Sequence, residues 1–261
     1  MSLGEGQLRL LRETMDMASI FMLGQLEGTQ WLSSLEDLAA GDGWVVGVLR
    51  SNYSDDYFID VVCSRCDGAA EELLRVLRDR GRAWANTSRL DLIQALLRTG
   101  DVILEDVVAF HVMEVDRDTF RKFEGVPSFL SFSVLDEHNI EELRDLLSKW
   151  DEARAAMADD MIMRGTAIGA WDGDRLVAVA ATYAVTDSWW YLGSLFVDPE
   201  YRGRKVGISM SSVATEEALA RAGRAYISVE VDNVRSIAVN TLLNYRPRAL
   251  SYSALLTARD G

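Results

Sequence analysis

Leu195-Phe196-Val197-Asp198-Pro199-Glu200-Tyr201-Arg202-Gly203-Arg204-Lys205-Val206-Gly207 is the stretch on which the fold turns. Leu195, Phe196 and Val197 end an apolar run that starts at Trp189 and reads as a strand. Pro199 marks a turn, and a loop of glycines and cations then feeds into a helical pattern over residues 206–221. Backbone N–H groups at a helix start have no intrahelical partner and point outward. With the helix dipole they favour an anion, and glycine lets the backbone approach it closely. Arg202, Arg204 and Lys205 crowd this loop in a chain of net charge −14. Of 27 lysines and arginines only Lys122, Lys149 and Lys205 are lysine, so a lysine here stands out. The pattern points to a pyrophosphate. The plainer alternative is an ordinary strand-to-helix turn with solvated arginines.

Working outward, residues 129–134 read as a strand and 139–150 and 151–163 as helices. Strands 166–171 and 175–183 are joined by Asp172-Gly173-Asp174, a tight hairpin turn. Beyond the loop come a strand at 226–231, a helix to about 244 with Asn233 as its N-cap, and a strand at 251–257. The order is strand, two helices, three strands, helix, strand, helix, strand. It predicts an α/β (α+β) fold with a mixed, mostly antiparallel sheet and helices on both faces. The first half can be laid on the same order in weaker form. It has one or two helices over 8–26, strands at 44–49 and 57–63, helices at 71–80 and 90–97, and one long or two short strands over 102–115. No sequence repeat accompanies this, yet the order predicts a duplicated fold. The polar segment 118–127, with Gly125 and Pro127, divides the chain into units 1–122 and 128–261.

The loop resembles the coenzyme A site of the GNAT acetyltransferase superfamily. That signature is Gln or Arg, two residues, Gly, one residue, then Gly or Ala, after a strand ending Val-x-Pro. Val197, Pro199, Arg202 and Gly207 match in register, while Lys205 takes the place of the first glycine. A reading shifted to Arg204, Gly207 and Ser209 restores that glycine but breaks the spacing to Pro199. The family's next motif runs Asn, two residues, Ala or Ser, two residues, Leu or Ile, Tyr, three residues, Gly, Phe or Tyr. Asn233, Ser236, Val239 and Tyr245 fit it. The ending Tyr245-Arg246-Pro247 resembles a branch that often carries an extra N-terminal domain. Residues 21–27 (FMLGQLE) resemble the start of such two-domain proteins more weakly.

The resemblance implies direct acyl transfer from acetyl-CoA to a small-molecule or peptide amine, with no metal. It places coenzyme A against Leu195, Phe196, Val197, Arg202, Gly203, Arg204, Lys205, Val206, Gly207, Ile208 and Asn233. The tyrosine that protonates the departing thiolate falls on Asn240, which donates hydrogen bonds but has no proton to give near neutrality. Tyr191, Tyr183 or water could substitute. Glu230, an acid in an otherwise apolar strand, is the candidate general base. A non-catalytic acyl-CoA sensor is the alternative that Asn240 favours. An aminoacyl-tRNA-dependent transferase fits the charge poorly.

Composition narrows the rest. An acidic chain disfavours nucleic acid as the main partner. No window approaches 18 uninterrupted apolar residues, so no membrane span is expected. The start lacks a secretion-signal pattern, so a cytoplasmic protein is the expectation. Cys63 and Cys66 form a C-x-x-C pair, too few ligands for a structural zinc site. They read as incidental thiols, with a redox or metal role as the alternative. A homodimer is among the states the sequence allows.

Overall fold

The computed structural model describes residues 3–259. The first half opens with α1 (Glu5–Thr14), α2 (Met17–Glu27) and a two-residue strand β1 (Thr29–Gln30). A meander follows: β2 (Ser33–Gly41), β3 (Trp44–Ser51) and β4 (Tyr57–Cys63). Then come α3 (Asp67–Arg80), β5 (Arg82–Thr87), α4 (Leu90–Thr99) and β6 (Val102–Asp116). The second half begins with β7 (Leu130–Val134), α5 (Ile140–Ser148), α6 (Glu152–Ala155) and α7 (Ala158–Met163). Its meander is β8 (Ala167–Asp172), β9 (Arg175–Val185) and β10 (Trp190–Val197). It closes with α8 (Val206–Ala222), β11 (Arg224–Glu230), α9 (Val234–Leu242) and β12 (Arg246–Ala258). Each half thus runs meander, helix, strand, helix, strand.

One sheet spans both halves in the order β2-β3-β4-β5-β12-β6-β11-β10-β9-β8-β7. Among the described residues only β4–β5 and β10–β11 pair in parallel, at the same point of each half. The two last strands are exchanged. β6 pairs with β11 of the second half, and β12 pairs with β5 of the first. β6 and β12 pair with each other from Arg246↔Glu114 to Ala258↔Val102 and join the halves.

Side chains alternate across each strand, so both faces are apolar and both are covered. Val46, Ile59 and Val61 meet α3 and α4, while Ala178, Leu192 and Ile227 meet α8. Val45, Val62 and Tyr226 face α1 and α2 on the other side, and Val179, Ala181 and Phe196 face α5 and α7. Two helices open the chain because Met15 takes a left-handed φ of 45° and Asp16 then caps α2 through the Ser19 N–H. The span 151–163 is likewise two short helices, and β12 starts five residues earlier than its apolar pattern. β2 goes unanticipated because it is the sheet's outer edge, half exposed and rich in small and charged residues. No helix among the described residues is long and apolar enough to cross a membrane.

Candidate active site

β10 and β11 stay in parallel register only through Trp190↔Ala225, Tyr191↔Tyr226 and Leu192↔Ile227. Beyond that point β10 bulges. Its register with β9 shifts between Gly193 and Phe196, and Ser194 adopts φ 45°. Gly193 is required here, because an added Cβ would lie 2.1 Å from the Tyr183 ring. Ser194 and Leu195 then have no register partner on either side. A bulge of this kind re-aims side chains and frees backbone groups for a ligand.

The gap is a cavity of about 230 Å³ between Ser194 and Leu195 on one strand and Ser228 and Val229 on the other. It opens into a cavity of about 600 Å³ at the α8 side and one of about 270 Å³ at the opposite mouth. Trp150, Asn233 and Ser236 border all three, making one cleft through the sheet.

The 600 Å³ cavity is walled by residues 195–197, Arg202, Gly203, 205–208 and Asn233. Arg204 does not border it; its guanidinium sits 5.3 Å from the Tyr201 ring centroid. Arg235, two residues past the Asn233 cap, adds a third cation that the motif reading missed. The start of α8 has no side-chain cap, so its first N–H groups face the cavity uncapped. Lys205 takes φ 65° and Gly203 φ 77°. Asn244, which stands at the glycine of the second motif, takes φ 69°. Both departures from glycine therefore keep the left-handed backbone, at a cost of about 1 kcal/mol each. A Cβ on Gly207 would meet only Val197, at 3.6 Å, so the protein leaves that side open.

Asp198 anchors the loop. Burial alone would raise its carboxyl, but hydrogen bonds from Lys149 (2.6 Å), the Glu200 N–H (3.0 Å) and Arg175 (2.9 Å) outweigh burial and hold it below the usual range. Phe196 stacks on Trp150 at 5.3 Å, fixing one wall.

Glu230 ends β11 and borders the 270 Å³ cavity with an exposed carboxylate. Tyr183 and Tyr191 border it too. The Tyr183 hydroxyl lies 2.5 Å from Ser194 Oγ and accepts from Arg154 at 2.8 Å. Burial pushes the Tyr191 phenol above its ordinary range, and its hydroxyl bonds Ser228. Asn240 lies at the floor of the gap. Its Nδ2 donates to the Ser236 carbonyl at 2.9 Å and its Oδ1 accepts from Ser211 at 3.0 Å. Asn233 caps α9 through the Ser236 N–H at 3.1 Å. Trp150, Arg154, Ser194 and Phe110 carry no sequence signal for this site; the bulge brings Ser194, the strand exchange brings Phe110, and the α5–α6 segment brings Trp150 and Arg154.

An uncapped helix start among cations, opening through a split pair of parallel strands, is the geometry the two motifs call for. Residues 131–241 match the model of the Acetyltransferase (GNAT) family. The second half of the chain carries a GNAT domain. The reaction of that family is acyl transfer from acyl-CoA to an amine.

Solved structures agree in fold across both halves. A tandem GNAT protein of the clavulanic acid biosynthesis pathway superposes with TM-score 0.66 at 16% identity, covering 97% of this chain and 94% of its own. A GNAT-family acetyltransferase from Novosphingobium aromaticivorans gives 0.59 at 18% identity, covering 86% and 92%. A GCN5-related N-acetyltransferase from Kribbella flavida gives 0.58 at 14% identity, covering 100% and 98%. No functionally curated protein matches the sequence.

The cysteines lie in the other half. Cys63 and Cys66 form a disulfide between the end of β4 and the start of α3, which corrects the reading of two incidental thiols. No group of three or more potential metal ligands occurs among the described residues.

Proposed function

We propose that this protein transfers an acyl group, acetyl in the simplest case, from acyl-CoA to a primary amine held in the same cleft. The observation that carries the reading is the cleft itself, with a cationic loop and an uncapped helix start at one mouth and Glu230 at the other. We assign the diphosphate to the N–H groups of residues 206–208 with Arg202 and Lys205, and the thioester to the gap beside the bulge. Backbone N–H groups freed at Ser194 and Leu195 are suited to polarising the thioester carbonyl.

The amine lone pair attacks the thioester carbon, the C–S bond breaks, and the nitrogen's proton passes to Glu230. The sulfur leaves as a thiolate and then takes a proton. Holding both reactants in one cleft supplies much of the rate. Asn240 has no proton to give the leaving group, and it can donate a hydrogen bond to it only by releasing Ser236 Oγ. Residues 1–122 and 128–261 act as the two units, the first lending β6 to the second.

Asn240 favours a second reading, an acyl-CoA sensor without turnover. Free-thiol release over a panel of amines, run beside a calorimetric titration with acetyl-CoA, separates the two. Saturable binding with amine-dependent thiol release supports the transferase. Binding without release under every amine supports the sensor, and no binding overturns both.

A further inference from the structure

Arg154 is a cation without an anion. Among the described residues its guanidinium pairs with no carboxylate. It donates to the Tyr183 hydroxyl and lies 4.9 Å from the centre of the Trp150 ring. Asp151, at the start of the same short helix, is occupied in capping it through the Arg154 backbone N–H at 2.7 Å. The arginine is half-buried and borders the 270 Å³ cavity at the mouth opposite the anion loop. Arg154 and Glu230 are the only charged side chains on that cavity among the described residues.

A plain alkylamine enters as a cation, which Glu230 can match but which leaves Arg154 without a counter-charge. A guanidinium removed from bulk water is best matched by a planar carboxylate, which accepts two parallel N–H bonds from it. One anionic and one cationic side chain on the same cavity complement a molecule that carries both charges. Arg154 also borders an adjoining cavity of about 650 Å³, walled by Leu32, Tyr53, Phe58 and Met157, with room for a side chain.

We propose that the acceptor is a free amino acid. Its carboxylate sits on Arg154, and its amine is directed to Glu230 and the bulge at Ser194. This rests on the acyl-transfer reading of the cleft and adds the class of its second substrate.

The test uses the full-length protein, acetyl-CoA, the free amino acids and their amides, with thiol release and product mass as readouts. The wild type should acetylate at least one amino acid with kcat/KM at least about 30-fold above that of its amide, the scale for losing a desolvated charge pair. Arg154→Met should erase that preference, raising KM for the acid far more than KM for the amide or for acetyl-CoA. Arg154→Lys should keep part of it. Equal use of acids and amides by the wild type overturns the inference while leaving the transferase reading intact. So does an equal loss on both in Arg154→Met. Failure to bind acetyl-CoA by calorimetry overturns the transferase reading and this inference with it. The wild-type comparison of acid with amide stands even where a variant fails to fold.

Discussion

Phe110 and Glu230 are register partners across β6 and β11, and both border the cavity opposite the cationic loop at residues 202–207. The first half of the chain therefore supplies a wall to the site of the second. Phe110→Ala should raise the acceptor KM about tenfold, the scale of one apolar pocket contact. Acetyl-CoA affinity should not change. Steady-state kinetics with each substrate varied in turn checks this, and a matched loss for both substrates would count against it.

The loop cations should separate by position. Arg202→Ala should weaken acetyl-CoA binding about tenfold or more, as expected for a charge-assisted contact. Arg204→Ala should change it less than about threefold, because that guanidinium lies over Tyr201 and off the cavity wall. Gly207→Trp should abolish binding, since a ring there would fill the space the backbone leaves open. Calorimetric titration gives the affinities, and circular dichroism confirms the folds. Equal losses at 202 and 204 would falsify the assignment.

Glu230→Gln should lower kcat about 100-fold, the lower end for removing a general base. Acetyl-CoA affinity should stay as it was. Unchanged turnover would move the base elsewhere, with water the first candidate.

Asp60 gives a stability prediction remote from the cleft. It is fully buried, Asn86 donates to its Oδ1 at 2.7 Å, and its Oδ2 has no hydrogen-bond partner among the described residues. Burial first, and then the nearby charge of Asp16, push its carboxyl well above the usual range, against the Asn86 hydrogen bond. The folded state thus keeps a proton that the unfolded chain loses near pH 4. Between those two pKa values, rising pH costs about 1.4 kcal/mol of stability per unit from this group. Asp60→Asn removes that loss. Its melting temperature should exceed the wild type's by more at pH 8 than at pH 5. Parallel melting curves across that range would overturn the argument.

The sequence makes the local features of the second half legible. The strand at Leu195–Phe196–Val197 leads into an uncapped helix, and Asn233 caps the next one, because such features depend on neighbours a few residues away. Asp172-Gly173-Asp174 shows its turn for the same reason, with Gly173 at φ 57°. Pairing partners do not show in this way. Val102 to Val115 reads as strand, but no feature of its pattern tells whether its neighbour is Val229 or a residue of its own half. Arg154, Trp150 and Phe110 are invisible as site residues because only the assembled sheet brings them to the gap. Lys205 and Asn240 read as defects in the motifs. The backbone at 205 keeps the left-handed turn that a glycine there would supply, and Asn240 still stands at the floor of the gap.

The exchange of β6 and β12 sets a timetable for synthesis. β5 leaves the ribosome long before β12, its partner, has been translated. The nascent first half must wait with an open hydrogen-bonding edge, a surface prone to capture by other chains. Ala254 and Leu256 are made long after Val46 and Val48 and complete the core that those residues begin. The first half therefore completes its sheet and its core only once the second half has been translated.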